Sequence, residues 1–263
     1  YWQIDLPSDR NAPIEGLRGY AALLVYVSHA ASWFYFVRTG HWASLPLHIY
    51  SNLGTGAVIM FFMITAFLFT TKLLDAADRP INWLHFAVSR ILRLAPMYLS
   101  SLLLILLIVA AISGFVLKVS LSSLVASIAH WMAFTLLASP DLNAVNDTWL
   151  INAGVAWSLR YEVFFYITYP ALALVFLRHR MPYWGLALAL GLLAVYFLTT
   201  ELRPLFAAPF IGGSLAAFAA KQERWRIFAI SRLATGVAVT ALAAALILFP
   251  LPFGRVAAKS ALS

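Results

Sequence analysis

The sequence predicts an all-α fold: a polytopic integral membrane helical bundle of about eight apolar helices, forming one domain over residues 1–263. Three observations predict it. The chain is 63% hydrophobic and 11% charged, with a mean hydropathy of +0.86, far more apolar than a water-soluble domain requires. Its apolar residues come in repeated runs of about 20, the length that crosses ~30 Å of hydrocarbon as a helix. Its basic residues collect in the short links between those runs, the distribution of cytoplasmic loops. That distribution accounts for the net charge of +8 without invoking nucleic acid. Nine Trp and eleven Tyr suit the two membrane interfaces. The absence of cysteine excludes disulfides, thiolate catalysis and thiolate metal sites.

The elements follow in order. Tyr1 to Pro13 is polar and of mixed charge, and the chain opens on Tyr rather than Met, as a fragment would. No cleavable leader is evident, so the first apolar run, Leu17 to Val37, reads as a permanent span. Arg38 to Asn52 connects it to a second span, Gly54 to Leu74. A basic link follows, and its Asn82 to Leu94 part has the pattern of an amphipathic helix lying on the membrane. Pro96 then leads into a third span, Met97 to Leu117. Leu121 to Ser139 is apolar but carries His130 and several serines, and the next link, to Ala156, contains no Lys or Arg. Further apolar helices are expected at Trp157 to Leu177, Trp184 to Leu198, Leu205 to Ala220 and Ile230 to Phe249. Gly212 and Gly213 would let another helix approach closely.

The charges constrain the topology. The links at Arg90, at Arg178 to Arg180 and at Lys221 to Arg226 all favour the cytoplasmic side. All three can lie there only if Leu121 to Ser139 does not fully cross, so this segment is expected to be short, tilted or re-entrant.

Few residues in the apolar runs can carry chemistry. His29 stands eleven residues after Arg18 in the first run. On a helix that is about three turns plus 20°, so the two share one face roughly 16 Å apart. An ionisable side chain at that depth points to function, although a histidine bonded between packed helices would look the same. Arg90 and Arg93, three residues apart, present two fixed charges on one face and could grip a phosphate group; a basic cluster on lipid headgroups is the plainer reading. Glu162 lies early in the Trp157 helix. It could pair with Arg160 or with the helix dipole, or orient a histidine or a substrate hydroxyl. Thr65 suits an interhelical hydrogen bond. His41, His48, His130 and His179 have no ligand-like spacing, so no metal site is assigned.

Four blocks together resemble the membrane acyltransferase 3 family: IEGLRG followed by Ser28-His29, FFMITAFLF, SRILRLAPMY and WSLRYEVFFYITYP. They occur in the family's order over about Ile14 to Gly213. The resemblance implies a bacterial inner-membrane, multi-pass O-acyltransferase. Its co-substrate would be acyl-CoA, in the usual case acetyl-CoA, with no tightly bound cofactor. Its acceptor would be a hydroxyl of a cell-surface or exported carbohydrate or glycolipid. By the same resemblance His29 is the catalytic histidine, Arg18 its arginine partner, Arg90 and Arg93 the donor-end arginines, and Glu162 the acidic position. Two departures stand out. Thr65-Ala66-Phe67-Leu68 replaces Ser-Gly-Phe-Leu, and the Asp usual before the paired phenylalanines is absent from the apolar stretch Ala57 to Met60. They suggest a subgroup with a different acceptor or helix contact. Members usually have about ten helices, so the resemblance implies two more than this chain supplies.

The mechanism expected on this basis rests the CoA phosphates near Arg90 and Arg93 and brings the thioester towards His29. The histidine would serve as general base or carry the acyl group transiently, with Arg18 or a helix dipole on the developing oxyanion. A rival reading is a transporter or flippase with His29 and Glu162 as a proton relay. That reading predicts internal repeats, and none is visible. A membrane scaffold without catalysis is the second rival.

Overall fold

A computed structural model describes residues 8–42, 48–76, 81–136, 138–177, 191 and 204–248. Among these residues helix is the only extended regular structure; the β pairing present is an isolated bridge between Leu142 and Val145. The helices are α1 (Ser8–Thr39), α2 (His48–Asp75), α3 (Trp83–Ile112), α4 (Leu121–Met132), α5 (Trp157–Leu177), α6 (Pro204–Ala220), α7 (Glu223–Ala229) and α8 (Arg232–Leu248), with a 3-10 turn at Thr148–Asn152 before α5. Three of them are long and apolar enough to cross a membrane, Ala12–Thr39 of α1, α2 and α3, and the bent pair α7–α8 would make a fourth. The expected helix at Trp184 to Leu198, the Arg178 to Arg180 link and the tail from Leu251 lie outside the described residues. The chain divides into two compact units, Tyr1–Thr71 with Ala208–Ser263, and Lys72–Ala207.

In the first unit α1 runs 32 residues and ends at Gly40, whose φ of +70° lets its N–H close on the Phe36 carbonyl at 2.8 Å. Arg38 in the last turn suits the negative end of the helix dipole. Tyr20, Leu23, Tyr26 and Phe34 face outward, whereas Ala21 and Ser28, seven residues apart and so on one face, are buried. α2 buries Ala57, Phe62, Ile64, Ala66 and Thr70. Against it lies α6. Gly213 of α6 touches the Met63 backbone so closely that a Cβ would not fit, and the Ala66 methyl bounds the same space. Thr70 donates to Ser214 at 3.0 Å, and Phe62 stacks on Phe210 with centroids 4.7 Å apart. This is how membrane helices associate: small residues permit contact and hydroxyls bridge it. α7 and α8 meet at a bend of 64°, and the expected Lys221 to Arg226 link contains α7's Glu223–Arg226 ion pair at 2.7 Å.

In the second unit α3 differs from expectation. The segment from Asn82 to Leu94 and the span after Pro96 are one helix of 30 residues. Asn82 caps it by accepting the His85 N–H at 2.9 Å. Pro96 is accommodated inside, and Ser100 donates to the Pro96 carbonyl at 2.8 Å. Its inner face is Tyr98, Leu102, Ile105 and Val109, at spacings of four and three. α4 has 12 residues, about 18 Å of helix, too short for a ~30 Å hydrocarbon core. The expected short segment is therefore what the chain forms.

Trp131 at the end of α4 and Leu142 of the following link pack onto Leu102, Ile105 and Val109. That link is ordered in detail. Thr148 donates to the Val145 carbonyl and accepts the Leu142 N–H, Asp141 accepts the Thr148 N–H, and Trp131 donates to the Pro140 carbonyl at 2.8 Å. Asn143 spans Val116 and Lys118 of the α3–α4 connection, at 2.8 and 2.7 Å. α5 then starts where expected, and Arg160 in its first turn donates to the Thr135 carbonyl at 2.9 Å.

Candidate active site

The expected site residues fall in both units, two in the first and three in the second. In the first, α1 carries Arg18 and His29. Arg18 forms an ion pair with Glu15 one turn away, at 3.1 Å. Three turns of helix, roughly 16 Å, separate it from His29, so the two share a face without touching. His29 is half-buried and its Nδ1 is enclosed. Ser28 beside it is 1% exposed and lies against Gly54 of α2, which approaches so closely that a Cβ there would overlap the serine side chain. Around this contact α2 buries Ser51, Asn52 and Thr55. Ser28, the residue before His29, therefore meets α2 where that helix buries a polar stretch. The sequence reading passed over Ser28 and Thr55; the signal available was the Gly54-Thr55-Gly56 run, where α2 thins enough to admit another helix.

In the second unit α3 and α5 bring Arg90, Arg93 and Glu162 together. The α3 residues Phe86, Arg90 and Arg93 and the α5 residues Glu162, Tyr166 and Tyr169 each follow spacings of four and three, so each set forms one stripe on its helix. The stripes run in opposite directions. Phe86 stacks on Tyr169 with centroids 5.0 Å apart, and Trp83 extends that end with its ring 6.2 Å from Tyr169. One turn on, Arg90 hydrogen-bonds the Tyr166 hydroxyl. It also lies over the Phe86 ring at 5.9 Å and donates through Nε to Ser89. At the next level Arg93 and Glu162 both act electrostatically on the same Tyr166 hydroxyl.

Lys72, in the last turn of α2, lies within electrostatic range of both arginines. Three cations thus gather with one carboxylate and two phenols. Arg90 is half-buried and braced, whereas Arg93 is exposed. Such a set can receive a polyanion, with Arg90 pre-oriented and Arg93 open to solvent. The sequence reading missed Tyr166, Tyr169 and Lys72. The matched spacing of the two stripes was the visible sign for the tyrosines, and nothing in the sequence alone pointed to Lys72.

No curated protein and no solved structure matches the chain. A family described as an acyltransferase domain matches residues 11–260, which take in α1 from its first turn and all five expected site residues. With three helices long and apolar enough to cross a membrane, this is an integral membrane protein, and the chain belongs to the membrane acyltransferase 3 family.

Proposed function

We propose that this acyltransferase moves an acyl group, acetyl in the first instance, from acyl-CoA to a hydroxyl of a cell-surface or exported carbohydrate. The observation that carries the proposal is the α3–α5 stripe pair, in which Arg90 and Arg93 meet at the Tyr166 phenol, with Lys72 of α2 within electrostatic range of both. Coenzyme A presents a diphosphate and a phosphomonoester, and paired guanidiniums bind such groups through charge-assisted, bidentate hydrogen bonds. Tyr166 holds the Arg90 guanidinium in place for that contact. His29 serves as the general base: it takes the proton from the acceptor hydroxyl as that oxygen attacks the thioester, and returns it to the departing thiolate. Arg18, paired with Glu15, anchors the cytoplasmic end of α1.

The proposed setting is the bacterial inner membrane, crossed several times, with the N-terminus and Arg90 cytoplasmic. The shortness of α4 supports this topology, because it lets α5 run back and deliver Arg178 to Arg180 to the cytoplasm. The test is steady-state kinetics with acyl-CoA. Arg90→Ala and Arg93→Ala are each expected to raise KM by roughly ten- to a hundredfold, since a hydrogen bond to a charged group is typically worth about 1.5–3 kcal/mol. Arg→Lys should restore part of the loss, because the ammonium keeps the charge but not the fork. Parental KM in both alanine variants would remove the phosphate-binding role.

A further inference from the structure

Hydroxyls inside an apolar helix ordinarily bond back to the carbonyl one turn earlier. This chain follows the rule at Ser32 to Ser28, Thr39 to Tyr35, Ser113 to Val109, Thr168 to Phe164 and Thr235 to Ser231, at 2.8–3.2 Å. Ser28 and Thr55 depart from it. Their side chains are 1% and 0% exposed, and among the described residues neither hydroxyl meets a hydrogen-bond partner. A buried hydroxyl without a partner is unfavourable, and here one occurs on each of two helices in contact, Ser28 at the Gly54 contact and Thr55 one residue beyond it on α2. Ser28 Oγ lies directly against Gly54, too close to leave room for a Cβ there. His29 is the next residue along α1. Thr71 shares the lack of a partner, but it stands sixteen residues beyond Thr55, about 24 Å along α2, and away from this cluster.

We propose that the Ser28 and Thr55 hydroxyls are oxyanion donors, holding the acyl carbonyl oxygen beside the His29 imidazole. The proposal rests on the acyl-transfer reading and assigns a task that Arg18, three turns away, is too far to perform. The acceptor oxygen bonds to the carbonyl carbon while its proton passes to His29. The carbonyl π electrons move to the oxygen, where the two hydroxyls donate to the developing charge. The intermediate collapses by breaking the carbon–sulfur bond, and the thiolate takes the proton from His29, leaving an ester and free CoA thiol. Two donors fixed in a dry setting need no rearrangement as the charge forms, the condition under which such donors are most effective.

The experiment measures thiol release from acetyl-CoA by the full chain in lipid vesicles, with an envelope glycan fraction as acceptor, alongside the thermal midpoint of each variant. Ser28→Ala and Thr55→Val are expected to lower kcat by about 10²-fold with KM for acetyl-CoA little changed, and to leave Tm equal or higher, because each removes an unsatisfied buried group. Thr55→Ser keeps the hydroxyl and should retain most of kcat. Parental kcat in Ser28→Ala and Thr55→Val overturns the proposal. So does a fall in Tm that accompanies the loss of activity and is not spared in Thr55→Ser, for that marks a packing role. Wild-type transfer that is lost in His29→Gln but kept in the two hydroxyl variants sinks the donors and leaves acyl transfer standing. Absence of thiol release from the wild-type chain sinks both.

Discussion

At His29 a packing role and a catalytic role make opposite demands. Gln keeps nearly the size of the imidazole and can both donate and accept a hydrogen bond, so it would serve a structural histidine. It cannot take a proton at neutral pH, so it cannot serve as a base. His29→Gln should therefore insert and accumulate at parental level while acylating its acceptor at least about 10²-fold more slowly. The measurement is acceptor acylation in cells, normalised to membrane-bound protein; a rate above about a third of the parental one rules out the base. At this scale the sequence was informative where chemistry needs a rare residue. His29 in an apolar run and Arg90-x-x-Arg93 stand out by type alone. Tyr166 and Tyr169 do not, because aromatic residues abound in this chain, and only the facing stripe of α3 shows that their hydroxyls and rings meet Phe86 and Arg90. Arg18 was legible as a position but not as a contact: its ion pair with Glu15 is local to one turn.

Helices were legible wherever an apolar run had clear ends. α5 begins and ends where the sequence placed it, and α6 and α8 agree within a residue or two. The α3 boundary was misplaced because Pro usually breaks a helix interior, whereas here the helix continues through Pro96 with Ser100 bonded to its carbonyl. The order within the link before α5 was not legible, for another reason. Its order comes from Asp141, Asn143 and Thr148 bonding to backbone groups, which leaves no periodicity to read. The Ala66 departure, a lost glycine on α2, is answered across the contact by Gly213 of α6. A test of that contact uses its neighbour as control. Gly213→Ala drives a methyl into the Met63 backbone, while the same change at Gly212 meets only the Met63 methyl at 3.9 Å. Unfolding in detergent should show Gly213→Ala destabilised by at least about 1–3 kcal/mol and Gly212→Ala close to parental. Equal midpoints would mean that the helices do not approach as described.

For the whole chain, composition alone conveyed a helical membrane protein, while the basic links give an expected orientation. The division into two units was not legible, since α2 and α6 each contribute to both and nothing in their sequences marks the change. Orientation can be tested in intact cells. The chain contains no cysteine, so single replacements report cleanly. A Cys at position 83 should resist an impermeant external thiol reagent, and a Cys at exposed position 146 should react with it. Labelling at 83 with protection at 146 would invert the topology.

The length of α3 carries one more consequence. Thirty residues make about 45 Å of helix, some 15 Å more than the hydrocarbon it crosses. Arg90 and Arg93 are fixed to the same rod as the Leu102, Ile105 and Val109 anchor, so their height relative to the headgroups follows from how much of the rod the lipid covers. Longer acyl chains cover more of it and draw the arginines towards oil; shorter ones leave them standing in water. On the proposed reading of Arg90 and Arg93, bilayer thickness would act as a setting on the phosphate-binding end of the protein.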